Sequence, residues 1–294
     1  MPETFEHSDS KARCRSATPA ADFTIDQQWH AYTDAEHDRW DRLFARSWKT
    51  LKGRACDPFM EAVGRLELSE QGIPDMAELS NRLEPLTGWR VVPVAGLVPD
   101  QVFFDHLANR CFPAGAFIRA EDEMDYLEEP DIFHDVFGHV PLLADPEYAR
   151  FMEAYGKGGH RALERGQLKN LARLYWYTIE FGLVETPEGL RLFGAGIMSS
   201  TAESVFALED PSPHRIRFDI ERIMRTNYII DDFQQSYFVI SSFEELVASC
   251  EQDFTALYDR LRSLVDIEPD KLLDSDDVVH TGTGAYFRNR GSAC

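Results

Sequence analysis

The chain has 294 residues, 44% of them hydrophobic and 12% aromatic, enough for a sizeable core. A formal charge of −21 argues against nucleic-acid or anionic-membrane partners, because binding phosphate needs clustered Lys and Arg. No apolar run approaches the roughly 20 residues of a membrane span, and the five cysteines (Cys14, Cys56, Cys111, Cys250, Cys294) include no CxxC pair, so reduced thiols in a cytoplasmic protein are expected.

Residues 1–21 are polar and without period, which predicts a disordered N-terminal tail before a single domain over 22–294. Thr33-Asp34-Ala35-Glu36 has the form of a capping box, and Trp40, Leu43, Phe44, Trp48 and Leu51 follow at helical spacing, so a long helix is predicted to about Lys52. Pro58 to Gly64 and Met76 to Leu83 read as shorter helices split by Gly72-Ile73-Pro74. Val91, Val92, Val94 and Leu97 predict a short strand, and Asp100 opens a helix carrying Val102, Phe103, Leu107 and Cys111. Ala116 to Arg119 is an apolar run ending on a charge, followed by an acidic loop through Tyr126. Pro146 to Gly156 is a predicted helix broken at Gly158-Gly159. Further on, Tyr228-Ile229-Ile230 and Tyr237 to Ile240 read as strands, and a helix is predicted from Ser242 through Leu264. The stretch from Glu268 onward has no strong period. The fold class expected is α+β, mainly helical with minor β-strands.

Two stretches carry chemistry. The run from Glu129 to Pro141 places His134 and His139 five apart among apolar residues, with Asp135 beside the first. Five residues rotate a side chain by roughly 140° on an α-helix, so one continuous helix cannot show both on one face. Gly138 and Pro141 predict a helix end there, with His139 turning back to share one ion with His134. A lone histidine is more often a satisfied core residue; two in so apolar a run point to a metal.

The second stretch, residues 167–184, is apolar nearly all round and should be buried, yet it contains Glu180. A buried carboxylate must be paired, protonated or metal-bound, and Arg173 is the plain ion-pair alternative. Two histidines and one carboxylate suit non-haem Fe(II) oxygenases. Zinc hydrolases use the same ligand types, but their helical HExxH spacing is one residue shorter. Ser200-Thr201-Ala202-Glu203 fits a second capping box, which is the plain reading of Glu203.

These stretches, with Tyr175 to Leu183, Gly194 to Ser200 and Val94-Ala95-Gly96-Leu97, resemble the pterin-dependent aromatic amino acid hydroxylases from about Phe23 to about Leu264. The resemblance implies one Fe(II) on His134, His139 and Glu180, and the conversion of L-phenylalanine, O2 and tetrahydrobiopterin to L-tyrosine and a hydroxylated pterin. It implies Glu203 and Asp135 as catalytic carboxylates, Glu203 near the pterin edge and Asp135 behind the metal ligands. It implies a pterin stacked on Phe103 and meeting Gly96 and Leu97. Arg119, assisted by Ser199, matches the arginine that holds the substrate carboxylate, and Pro130 and Trp176 match residues walling the substrate ring. Ile230 falls where tyrosine-specific members carry an aspartate, which favours phenylalanine over tyrosine; a tyrosine or tryptophan hydroxylase is the alternative. Leu127 departs from a hydroxyl residue found in animal members. No heptad seam is legible, so a monomer is expected.

Overall fold

In the computed structural model, residues 9–291 except Tyr126 and Glu128 are described. The first helix, α1 (Ser10–Ser16), lies inside the stretch expected to be a disordered tail. Asp9 caps it, Cys14 packs with Ala116 and Phe117, and the buried Ser10 donates its N–H to Glu36 at 2.7 Å and accepts Ile118 N–H at 3.1 Å. The expectation therefore needs correcting from residue 9 onward: long-range partners order a polar segment that has no periodicity of its own. Residues 1–8 lie outside the described part.

The strongest local signals hold. Thr33 caps α2 (Asp34–Leu51) in a full capping box, with Glu36 returning to Thr33 N–H at 2.8 Å. α3 (Asp57–Arg65) and α4 (Met76–Thr87) follow, and Gly88 closes α4 at φ 78°. β1 (Arg90–Val94), α5 (Asp100–Ala108) and β2 (Cys111–Gly115) then form a unit whose two strands are parallel. Cys111 starts β2 rather than ending α5, because the chain turns at Arg110, where φ is 56°.

α6 (Pro146–Arg165) runs through Gly158 and Gly159, where a break was expected. A Cβ on Gly159 would fall 2.1 Å from the Phe104 ring, and one on Gly156 2.5 Å from the backbone of Ala108. The glycines let α5 lie close against α6; they do not end the helix.

α7 (Leu168–Tyr175), β3 (Leu183–Thr186), β4 (Gly189–Leu192), α8 (Ala195–Met198), α9 (Thr201–Glu209), β5 (His214–Arg217), α10 (Ile220–Arg225) and β6 (Ser236–Ile240) come next. The helix expected over 242–264 is two, α11 (Phe243–Cys250) and α12 (Thr255–Leu261). The aperiodic end forms β7 (Val278–His280) and α13 (Ala285–Gly291). β3 and β6, and β5 and β6, pair in parallel in a mixed sheet of order β4-β3-β6-β5-β7. Tyr228 to Ile230 is loop, not strand. Its β-propensity is overridden because the Tyr228 ring stacks on Trp176 instead of joining a sheet. One apolar core, from Tyr32 to Leu261, joins the helices to both sheets.

Candidate metal centre and substrate site

The two stretches singled out in the sequence fold as π-helical turns, Phe133–His139 and Trp176–Glu180. This corrects the predicted helix end at Gly138. A π-turn bonds i to i+5, so a five-residue spacing that splits two histidines on an α-helix brings them together here. His134 Nε2 and His139 Nε2 lie 3.1 Å apart. Glu180 Oε1 is 3.2 Å from His139 Nε2 and Oε2 is 3.6 Å from His134 Nε2. Three donor atoms of the types that bind first-row metals thus face one point.

The electrostatics suit a cation. Burial lowers the His134 imidazole to about 4, so its ring is neutral at pH 7. Ser199 donates its hydroxyl to Ala195 O at 2.8 Å, so its oxygen accepts from His134 Nδ1 at 3.0 Å. That bond puts the His134 proton on Nδ1 and leaves the Nε2 lone pair for a metal. Burial opposes charge on Glu180, yet the adjacent imidazoles and a hydrogen bond from Tyr175 hold it at about 2. His139 Nδ1 is buried with no hydrogen-bond partner among the described residues. The Arg173 alternative fails, since Arg173 bonds Asp266 and Asn227.

Asp135 also brings a ligand atom within 4.8 Å of those of His134 and His139. Its Oδ2, however, accepts Gly115 N–H at 2.7 Å, and burial pushes its carboxyl up to about 7. Glu180 is ionised and within 3.6 Å of both imidazole Nε2 atoms, so it is the better third ligand.

Arg119 is buried, and its fork grips Asp131 through Nε and Nη2, both at 2.8 Å. The nearby acidic residues Glu121 and Asp125 pair with Arg42 and Arg46 and not with Arg119. Fully buried Asp131 also accepts the Arg119 and His134 backbone N–H groups at 2.9 and 3.0 Å, tying the arginine to the first histidine. Ser199, expected to assist Arg119, is bonded to His134. Pro130 precedes Asp131 and is half-buried.

Trp176 stacks on Tyr228 at 4.3 Å, meets Phe181 in a tilted contact at 4.8 Å, and donates Nε1–H to Gln234 at 2.9 Å. Phe103 meets Tyr175 edge-on at 5.8 Å, and Tyr175 lies 6.3 Å from the His139 ring. A Cβ on Gly96 would come within 2.5 Å of Glu129 Oε1, so a larger residue there would have to displace the Glu129 carboxylate. Leu97 and Ile230 are 78% and 72% exposed. Ile230 therefore stands on a surface loop rather than on the apolar strand expected for it.

Ser200 accepts Glu203 N–H, half of the expected capping box. The Glu203 carboxylate turns inward instead, to Tyr237 Oη at 2.7 Å and Gln234 N at 3.2 Å. Burial pushes it up to about 7.

Sequence reasoning missed Asp131, Tyr175 and Gln234 as parts of this network. Asp131 was findable by the rule used for Glu180, an acid inside an apolar run. Gln234 carries no local signal.

The model for biopterin-dependent aromatic amino acid hydroxylases matches residues 5–275. The chain is 61% identical over 265 residues to a phenylalanine-4-hydroxylase of Caulobacter vibrioides, covering 90% of each chain. It is 53% identical to one of Ralstonia nicotianae, covering 89% of this chain and 84% of that one. The iron- and phenylalanine-bound phenylalanine hydroxylase of Chromobacterium violaceum superposes with a TM-score of 0.87 at 46% identity, covering 92% of this chain and all of that one.

Proposed function

This chain belongs to the biopterin-dependent aromatic amino acid hydroxylases, and within that family we propose that it converts L-phenylalanine to L-tyrosine with O2 and tetrahydrobiopterin at one iron held by His134, His139 and Glu180. The activity and cofactors rest on the named relatives. The single observation that supports the ligand assignment is the convergence of the two imidazole nitrogens and one carboxylate, all within 3.6 Å, on two π-turns.

Bound iron and tetrahydropterin supply the oxygen activation. The chain's own groups position and exclude. His134 and His139 would each offer an Nε2 lone pair to the metal, and Glu180 would supply the compensating negative charge. Asp131 holds Arg119 rigid through two contacts, so the remaining Nη1 can meet a substrate carboxylate without reorganisation. Trp176, held by the Tyr228 stack and its bond to Gln234, and Pro130 would wall a phenyl group, and Ser199 acts by orienting His134. Phe103, Gly96, Leu97 and Glu203 are the residues that would hold a bound pterin, which an aromatic side chain such as Phe103 would suit. Asp135 would back the metal ligands, and Ile230, exposed on its loop, has an apolar side chain that would offer nothing to a phenolic hydroxyl.

The test is the specificity constant of the iron-loaded chain for phenylalanine, tyrosine and tryptophan with one tetrahydropterin. Phenylalanine should lead; an apolar wall rejects an added hydroxyl only about a hundredfold, so slow tyrosine turnover is expected. A higher constant for tyrosine or tryptophan defeats the substrate assignment. Among the described residues no helix is long and apolar enough to cross a membrane. We further propose a cytoplasmic monomer over one domain; a stable tetramer in light scattering would overturn the oligomeric part.

A further inference from the structure

The segment 278–291 lies beyond residue 275, where the family match ends, yet its side chains reach the loop that shapes the substrate site. It is anchored along its length. β7 pairs antiparallel with β5, Gly282 N–H donates to His214 Nδ1 at 2.9 Å, and Gly284 N–H donates to Ser212 O at 2.9 Å. A Cβ on Gly282 would collide with Ser212 O at 2.3 Å, so the crossing is close. From that anchor Tyr286 packs 5.1 Å from Phe206 and 5.4 Å from Phe233, and its hydroxyl donates to Asp232 Oδ1 at 3.0 Å. Phe233 in turn stacks on Phe206 at 4.6 Å.

The next residue, Gln234, joins this clasp to the site. Its Oε1 accepts from Trp176 Nε1, its Nε2 donates to Ile229 O at 2.6 Å, and its backbone N–H donates to Glu203. Tyr228, on the same loop, stacks on Trp176. One loop therefore sets the Trp176 ring and the Glu203 carboxylate together, and α13 fastens its far side. Tyr286 reaches Trp176 by way of the 228–234 loop, and reaches Glu203 both by that loop and through Phe206 on α9, so Trp176 and substrate KM are the readout that isolates the loop.

We propose that Tyr286 is a positioning residue for phenylalanine binding: by clasping Asp232 and Phe233 it holds the 228–234 loop in the arrangement that fixes Trp176. This rests on the reading of Trp176 as a wall of the substrate site. When a binding-competent arrangement is only partly populated, apparent affinity falls by that fraction. Loosening the clasp should thus raise KM for phenylalanine more than it lowers kcat, and leave metal retention alone.

The experiment compares the full iron-loaded chain with Tyr286→Phe, which keeps the ring stack and loses the hydroxyl, and with Tyr286→Ala, which loses both. KM and kcat for phenylalanine, KM for the tetrahydropterin, iron content and Tm are measured for each. Loss of one hydrogen bond to a carboxylate loosens an equilibrium by roughly tenfold or more, and the part of that loosening that lowers the competent fraction appears in KM. Tyr286→Phe should raise KM for phenylalanine about fivefold with kcat within about twofold, iron content and Tm unchanged, and Tyr286→Ala should raise it further. An unchanged phenylalanine KM in Tyr286→Phe overturns the proposal. So does a fall in kcat that tracks a fall in Tm, the mark of a merely structural contact. Failure of the Trp176 reading is separable: Trp176→Ala would then leave phenylalanine KM unchanged in the same assay.

Discussion

Replacing Glu203 by Gln should change the pH dependence of stability in a calculable way. The Glu203 carboxyl is buried at the foot of α9, and burial pushes it up to about 7 despite hydrogen bonds from Tyr237 and Gln234. In the unfolded chain it titrates near 4.5. Below about 4.5 both states hold the proton and Glu203 contributes no penalty. Between 4.5 and 7 the folded chain keeps a proton that the unfolded chain releases, so stability falls as pH rises, by about 1.4 kcal/mol per pH unit and about 3 kcal/mol in total. Above 7 both states are ionised and the loss is complete. Gln carries no charge and can still accept from Tyr237, so the variant escapes the loss. Working above the sequence pI of about 4.8 restricts the range to pH 5.5–8. In that window Glu203→Gln should gain about 2 kcal/mol on the parent chain. Urea unfolding of both proteins, iron-loaded and at fixed salt, measures the difference, in which other titrating groups cancel. A difference that stays flat with pH, or one that shrinks as pH rises, refutes the reasoning.

His139→Ala should abolish iron retention and hydroxylation while leaving the circular dichroism spectrum native; retained iron removes this ligand set. Arg119→Ala should raise KM for phenylalanine far more than that for the pterin, and Arg119→Lys should also be impaired because an ammonium lacks the planar fork. Asp131→Asn leaves a buried guanidinium uncompensated and should cost about 3–5 kcal/mol in urea unfolding. Ser10→Ala strips the buried Ile118 N–H of its partner, so it should cost about 1–3 kcal/mol, and deletion of residues 1–20 should cost more; unchanged stability on deletion would make α1 dispensable. Gly159→Ala drives a methyl into the Phe104 ring and should cost about 1–3 kcal/mol by the same measurement.

The sequence by itself determined what local chemistry determines. The Thr33 box fixed the start of α2, the apolar periodicities fixed most helices, and an acid inside an apolar helix marked Glu180 before any coordinates. Family resemblance carried the iron, the pterin and the substrate. The tertiary structure decided what depends on distant partners. Ser10 and Cys14 order a segment whose composition reads as tail, because Glu36, Ile118 and Phe117 come from elsewhere in the chain. Gly158 and Gly159 read as a break, yet α6 runs through both, and Gly159 serves the close approach of Phe104 on α5. The five-residue histidine spacing was legible but its geometry was not, since a π-turn leaves no period that distinguishes it from a helix end. Gln234 joins groups on separate elements and stands 58 residues from Trp176, and no local window of sequence contains both ends of that bond. Hydrogen bonds between elements exist only once packing has brought their partners together, which is why the ligands could be read in the chain and their supports could not.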